Sequence, residues 1–153
     1  MRALELKVPP LLLTAAFLAV IVVASRLLPG AALSFQYNKS AALVLLVAGL
    51  AVLLGAALQF RMLRTTLDPR TPGKASQFVA RGLYRVSRNP MYLGMALLLL
   101  AVAVWASNAV AYALVLAFCV YLTELQIKPE ERALESLFGA DYLAYKARVR
   151  RWV

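Results

Sequence analysis

The chain contains no histidine and a single cysteine, Cys119. The first absence excludes histidine-based catalytic triads, histidine-ligated metals and histidine-ligated haem. The second excludes an intrachain disulfide and a cysteine-rich metal site. Cys119 lies in an apolar run and reads as a small buried hydrophobe. Acidic residues are also scarce. Seven Asp and Glu stand against seventeen Lys and Arg, a net charge of +10 over 153 residues. A basic excess suggests nucleic acid, but no basic-aromatic recognition motif accompanies it. Neither nucleic acid nor a metal is therefore expected as a partner. Internal repeats and low-complexity tracts are missing too.

Apolar sequence is what the chain has in excess. Hydrophobic residues make up 63% of it and its mean hydropathy is +0.74, against roughly 45–50% apolar residues in soluble proteins. A soluble domain of this length cannot hide that much apolar surface, whereas a bilayer accepts it. Spanning a hydrocarbon core of about 30 Å takes roughly 20 helical residues. Four segments approach that length. The first runs from Pro9 to about Leu28, with Pro9 and Pro10 at its start, where a missing N–H is harmless. It is too long for a signal-peptide core, and Ser25-Arg26 offers no small-x-small cleavage site, so it reads as a retained anchor. The second runs from about Ser40 to Phe60, with Ser40 as its cap. The third, Met91 to Ala106, and the fourth, Ala109 to Ile127, are separated only by Ser107-Asn108 and read as a helical hairpin. The expected fold is an all-α membrane protein of four transmembrane helices, the last two a hairpin, with a cytoplasmic loop and C-terminal amphipathic helices. One domain spans 1–153, with two N-terminal spans in 1–60 and a loop, hairpin and C-terminal helices in 61–153.

Charge placement orients these spans. Arg2 and Lys7, the cluster from Arg61 to Arg88 and the basic residues from Lys128 onward fall on one side, while Arg26 and Lys39 fall on the other. The excess of Lys and Arg predicts that both termini and the 61–90 loop are cytoplasmic, in a multi-pass protein of a bacterial inner membrane. That loop is longer than a connector requires, which marks it as functional. After the fourth span, Pro129 should start a helix, with Glu130 and Glu131 in its first turn, where the helix dipole favours anions. Gly139 should break it. A last helix rich in Lys146, Arg148, Arg150 and Arg151, with Tyr142, Tyr145 and Trp152, suits the membrane surface.

The polar residues converge on the hairpin's feet. A hairpin brings its two ends together, so Arg88, Asn89 and Tyr92 should lie near Gln126, Glu130 and Glu131. Carboxylates and amides can hold a ribose or an ammonium, arginines a carboxylate, and tyrosines offer flat walls with a polar tip. Plainer readings exist for each. Asn89-Pro90 matches a helix cap followed by a first-turn proline. Tyr84, Tyr92 and Tyr121 match interfacial belt aromatics. Arg81, Arg85 and Arg88 match lipid-phosphate contacts, and Gly94 a packing notch. Glu124 lies about one turn inside a span, where an acid is either partnered, functional or snorkelling to the interface.

Two blocks carry a family resemblance. The first is Gly82-x-Tyr84-x-x-x-Arg88-Asn89-Pro90-x-Tyr92-x-Gly94. The second is Glu130-Glu131-x-x-Leu134, leading to Phe138-Gly139-x-x-Tyr142-x-x-Tyr145-x-x-Arg148-Val149. With an apolar hairpin between them, residues 65 to 152 resemble the isoprenylcysteine carboxyl methyltransferase family and its relatives, the phospholipid methyltransferases. The resemblance implies an S-adenosylmethionine pocket enclosed by the loop before the hairpin, the hairpin's feet and the C-terminal helix. It implicates Ser76, Gln77, Phe78 and Val79 as a strand along the cofactor, Tyr84 as a wall, Asn89, Pro90, Met91 and Tyr92 as the helix start, and Glu130 as the acidic contact. Many relatives have histidine at Asn89. The protein-modifying members have an arginine at Gln126 that serves the acceptor's carboxylate, and its absence here argues against a prenylcysteine acceptor. The implied reaction is methyl transfer to a lipophilic thiol, carboxylate or amine at the cytoplasmic interface, with Glu131, Glu124 and Gln126 as candidate catalytic groups. Its partners would be membrane lipids and a lipophilic acceptor. The alternative is a non-catalytic membrane scaffold or lipid-binding protein that retains the fold. A transporter is disfavoured because the spans are too apolar to line a water path.

Overall fold

The computed structural model describes residues 5–33, 38–62 and 80–153. Every extended element among them is helical. Helix α1 is Pro10–Leu27, α2 Asn38–Met62, α3 Pro90–Ala106, α4 Ala109–Leu122 and α5 Lys128–Arg148. A 3₁₀ turn, Gly82–Arg85, precedes α3, and a π-helical turn, Thr123–Ile127, joins α4 to α5. The chain is thus an all-α protein. Pro10–Leu27, Asn38–Met62 and the helical stretch Ala109–Arg148, kinked at Gly139, are long and apolar enough to cross a membrane, while Pro90–Ala106 is a shorter apolar helix. The apolar run of the kinked stretch ends at Ile127, where Lys128, Glu130 and Glu131 begin.

Helix starts follow the expected chemistry with small shifts. Pro9 occupies the cap position of α1 and Pro10 its first turn. Helix α2 begins at Asn38 rather than at Ser40. At the hairpin tip Ser107 turns left-handed (φ 45°, ψ 50°) and ends α3. Asn108 then caps α4, its side chain accepting from Val110 N at 2.9 Å. The other face of Asn108 donates to Leu28 O at 3.0 Å, and Asn38 Nδ2 donates to Ser107 Oγ at 2.9 Å. The connection between α1 and α2 is therefore pinned to the hairpin tip, which is why these polar residues are buried at one end of an apolar bundle.

Helix α3 sits at the centre, packed along α2 on one side and against α1 and α4 on the other. Phe118, Leu99, Ile21, Leu122 and Ile127 are fully buried, and Phe17 meets Phe118 edge-on with ring centroids 5.4 Å apart. Much of the outward face of α1 and α2, including Leu11, Val23, Leu43, Val44, Val47 and Leu58, is exposed apolar surface. In water this would be an aggregation liability; in a bilayer it is the lipid-facing wall.

Two glycines set the α2–α3 crossing. A Cβ built on Gly94 would lie 2.7 Å from both the backbone N and the Cβ of Leu53 and 2.9 Å from Gly49 O. Gly94 is the packing notch that its small size suggested. Because backbone blocks the space, Gly94→Ala must push the helices apart, at about 1–3 kcal/mol. Thermal unfolding in detergent should show a clearly lowered midpoint, and an unchanged midpoint would contradict this packing.

Candidate functional site

The site is built where the two feet of the hairpin meet. Pro90 starts α3, so Tyr92 projects from its first turn, while α4 leaves its apolar run through the π-helical turn. A π-turn inserts a residue into the helical repeat and re-aims the side chains on it. Here it buries both Gln126 and Ile127. Tyr92 donates its hydroxyl to Glu130 Oε1 at 2.6 Å, and Gln126 Nε2 donates to the same oxygen at 2.7 Å. The hairpin therefore brings Tyr92, Gln126 and Glu130 together, as expected from its topology.

Electrostatically this carboxylate stands apart. Among the described residues, every other glutamate carries a cation. Glu5 pairs with Arg132, Glu124 with Lys128, Glu131 with Arg88 and Arg151, and Glu135 with Lys146. Among the same residues, Glu130 has only neutral donors. Burial pushes its carboxyl up to about 7, against the lowering effect of its bonds from Tyr92 and Gln126. A second unmet group lies nearby. The Tyr84 hydroxyl is buried with no hydrogen-bond partner. Burial first, then the proximity of Tyr145 and Glu130, raises its phenol above the usual range. Tyr84 packs with Ala56, Phe60, Leu83 and Met91, which screen it from water.

Glu131, the next residue, does different work. Its carboxylate is 3.0 Å from an Arg88 guanidinium nitrogen, and Arg151 donates to it twice, at 3.0 and 2.8 Å. The same tail closes the junction through two backbone carbonyls and the Trp152 side chain. Arg88 N donates to Arg150 O, Asn89 Nδ2 donates to Arg151 O at 3.0 Å, and Trp152 Nε1 donates to Thr123 Oγ1 at 3.2 Å. Asn89 holds the cap position of α3, yet its side chain makes no cap bond; it fastens the tail instead.

The C-terminus differs from the expected surface helix. Gly139 kinks α5 (φ 49°, ψ −123°), the helix stops at Arg148, and Val149 is extended. Arg151 and Trp152 therefore turn inward, where composition had placed them among lipid-facing basic and aromatic residues. No local pattern marks them, since their partners are 20 and 29 residues away. Pro90 is buried and Met91 half-buried at the start of α3. Glu124 lies outside this cluster, half-exposed and paired with Lys128. Ser76, Gln77, Phe78 and Val79 fall outside the described residues.

A protein of Haemophilus influenzae described as uncharacterized is 44% identical over 63 residues, covering 41% of this chain and all of its own length. No solved structure matches. The phospholipid methyltransferase family matches residues 37–141, a stretch that contains α2, the whole hairpin, the Tyr92–Gln126–Glu130 cluster and the first part of α5. The chain belongs to the phospholipid methyltransferase family, a family of membrane methyltransferases.

Proposed function

We propose that this protein transfers a methyl group from S-adenosylmethionine to a lipophilic acceptor that reaches the foot of the hairpin from the bilayer, with the hairpin's feet and both termini in the cytoplasm. One observation carries the reading. A largely buried carboxylate without a counter-ion among the described residues, held by two neutral donors, suits a cationic ligand, and S-adenosylmethionine bears a sulfonium and an ammonium. The unpartnered Tyr84 hydroxyl fits as well, because a nucleoside offers acceptors for it.

When bound, S-adenosylmethionine supplies an activated methyl group for in-line displacement. The chain's own residues align and shield. Ionised Glu130 would balance ligand charge or accept from ribose hydroxyls, and Tyr92 and Gln126 fix its orientation. Tyr84 would form a wall and donate, with Phe60, Leu83 and Met91 excluding water. Asn89 and Pro90 set the start of α3, while Ser76, Gln77, Phe78 and Val79 would complete the cofactor's enclosure. Gln126 lies beside Glu130 and would face an acceptor brought to that carboxylate. Glu131, clamped by two guanidinium groups, is suited to hold the pocket's frame. Glu124, exposed beside Lys128, would meet only an acceptor approaching along the interface.

Calorimetry with S-adenosylmethionine in detergent, followed by a radiolabelled methyl-transfer screen of lipid extracts and small thiols, tests this reading. Saturable heat and label transfer are expected. Absence of both would favour the scaffold alternative. The pH dependence is specific. A cation or a ribose diol prefers ionised Glu130, so affinity should rise roughly tenfold from about pH 6 to about pH 8, with proton release on binding. A flat profile would remove Glu130 from the contact.

A further inference from the structure

A concavity lies between the 3₁₀ turn before α3 and the end of α5. It has a volume of about 610 Å³ and is lined by Ala80, Arg81, Gly82, Arg85, Tyr145, Arg148 and Val149. Three of these residues are exposed arginines, and no acidic side chain is among them. Five cations elsewhere around the hairpin's feet, Arg88, Lys128, Arg132, Lys146 and Arg151, each meet a glutamate, while the exposed Arg150, outside the groove, has no ion pair among the described residues. Among the described residues, Arg81 and Arg85 have no ion pair, and Arg148 donates only to Ala144 O of its own helix. Three guanidinium groups gathered without a carboxylate repel one another unless an anion joins them. Planar guanidinium groups favour oxyanions such as phosphate.

We infer that this groove binds the phosphate of an anionic phospholipid, separately from the Glu130 cluster. Its position selects a lipid over a soluble anion. The turn that forms the groove is fastened to the end of α2, where Leu83 N donates to Gln59 Oε1 at 3.1 Å. A side chain at Gly82 would strain the turn: Gly82 has φ of +56°, and a Cβ would lie 2.1 Å from Gln59 Nε2 and displace the amide that holds Leu83 N. The same end of α2 carries Leu54, Leu58 and Met62, an exposed apolar stripe at four-residue spacing. A lipid with its phosphate among the arginines can lay its acyl chains beside that stripe. A cationic cofactor, by contrast, is repelled by three unpaired arginines. The inference needs a membrane-embedded chain but not methyl transfer.

The test uses purified full-length protein in detergent, titrated calorimetrically with dihexanoyl phosphatidylglycerol, dihexanoyl phosphatidylcholine, inorganic phosphate and S-adenosylmethionine. Wild-type protein should prefer phosphatidylglycerol over phosphatidylcholine by at least about tenfold, and lose that preference in high salt. Equal binding of the two lipids, or inorganic phosphate binding as tightly as phosphatidylglycerol, overturns the proposal without any variant. The triple variant Arg81→Gln, Arg85→Gln, Arg148→Gln, checked for helical content, should lose about fivefold in phosphatidylglycerol affinity per arginine. Its S-adenosylmethionine affinity should stay within about twofold of wild type. The double variant Lys128→Gln, Arg132→Gln should keep the lipid preference, which excludes a general charge effect. Unchanged phosphatidylglycerol binding in the triple variant overturns the proposal. So does a parallel loss of S-adenosylmethionine affinity, which would assign the groove to the cofactor's carboxylate. If wild-type protein binds no S-adenosylmethionine at all, the methyl-transfer reading fails while the lipid arm still decides this one.

Discussion

Replacing Glu130 by Gln is expected to weaken S-adenosylmethionine binding roughly 30-fold or more, as removing one member of a buried charge pair does, while the ligand-free protein becomes no less stable. The second half separates this outcome from simple damage. Gln has the shape of Glu, and its carbonyl can still accept from Tyr92 and Gln126, so the local hydrogen bonds survive. What disappears is a carboxylate whose ionisation the folded state penalises. Its folded-state value of about 7 lies above its ordinary value of 4.5. Its contribution to stability is therefore fully present below about pH 4.5 and lost as pH rises through about 7, a decline on the order of 3 kcal/mol. Wild-type protein should lose stability across that window, and the Gln variant should lack that part of the decline. Calorimetric titration at about pH 8, with thermal unfolding between about pH 4.5 and 8, checks both halves. Wild-type affinity in the variant would sink the proposed role of Glu130. A destabilised variant at high pH would sink the account of its environment.

Replacing Glu131 by Ala should act in the opposite way, by unfolding the foot of the hairpin. Only 6% of the Glu131 side chain and 8% of the Arg88 side chain are exposed. Removing the carboxylate strands the Arg88 guanidinium in that enclosure and frees Arg151. Breaking one partner out of a buried ion pair costs about 3–5 kcal/mol, mostly through the charge left behind. With Arg151 released, the bonds from Arg88 N and the Asn89 side chain to the tail's carbonyls lose their anchor, and protection of the Arg88 amide against exchange should fall too. A large drop in unfolding midpoint in detergent, with faster hydrogen exchange at the Arg88 amide, is the expected result. A variant as stable as wild type would mean that the tail is held by Trp152 and backbone contacts alone. The two adjacent glutamates thus make opposite predictions: one variant folds without binding ligand and the other folds poorly.

That contrast shows where sequence reading stops. Glu130 and Glu131 look equivalent in the chain, both being acids in the first turn of α5. Consecutive helical positions point about 100° apart, and which of the two meets a cation depends on where the chain goes afterwards. The tail returns because Gly139 kinks α5 and Val149 is extended, so Arg151 arrives at Glu131 and not at Glu130. The kink at a glycine was legible; its direction was not. Asn89 shows the same limit. Its position before Pro90 reads as a cap, yet its amide answers a carbonyl of the tail, since a side-chain bond to distant backbone leaves no local pattern.

Where apolar runs, prolines and polar punctuation act locally, the amino-acid order was sufficient. It determined the helices, the hairpin at Ser107-Asn108, the meeting of Tyr92 with the acids after the last span, and the need for a lipid environment, because each follows from near neighbours and a bilayer's thickness. Tertiary structure alone decided which carboxylate keeps a counter-ion and which does not, which arginines are neutralised, and how closely α2 approaches α3 at Gly94. Those outcomes depend on charges and surfaces brought together from distant parts of the chain, and pairing at a distance is set by packing geometry.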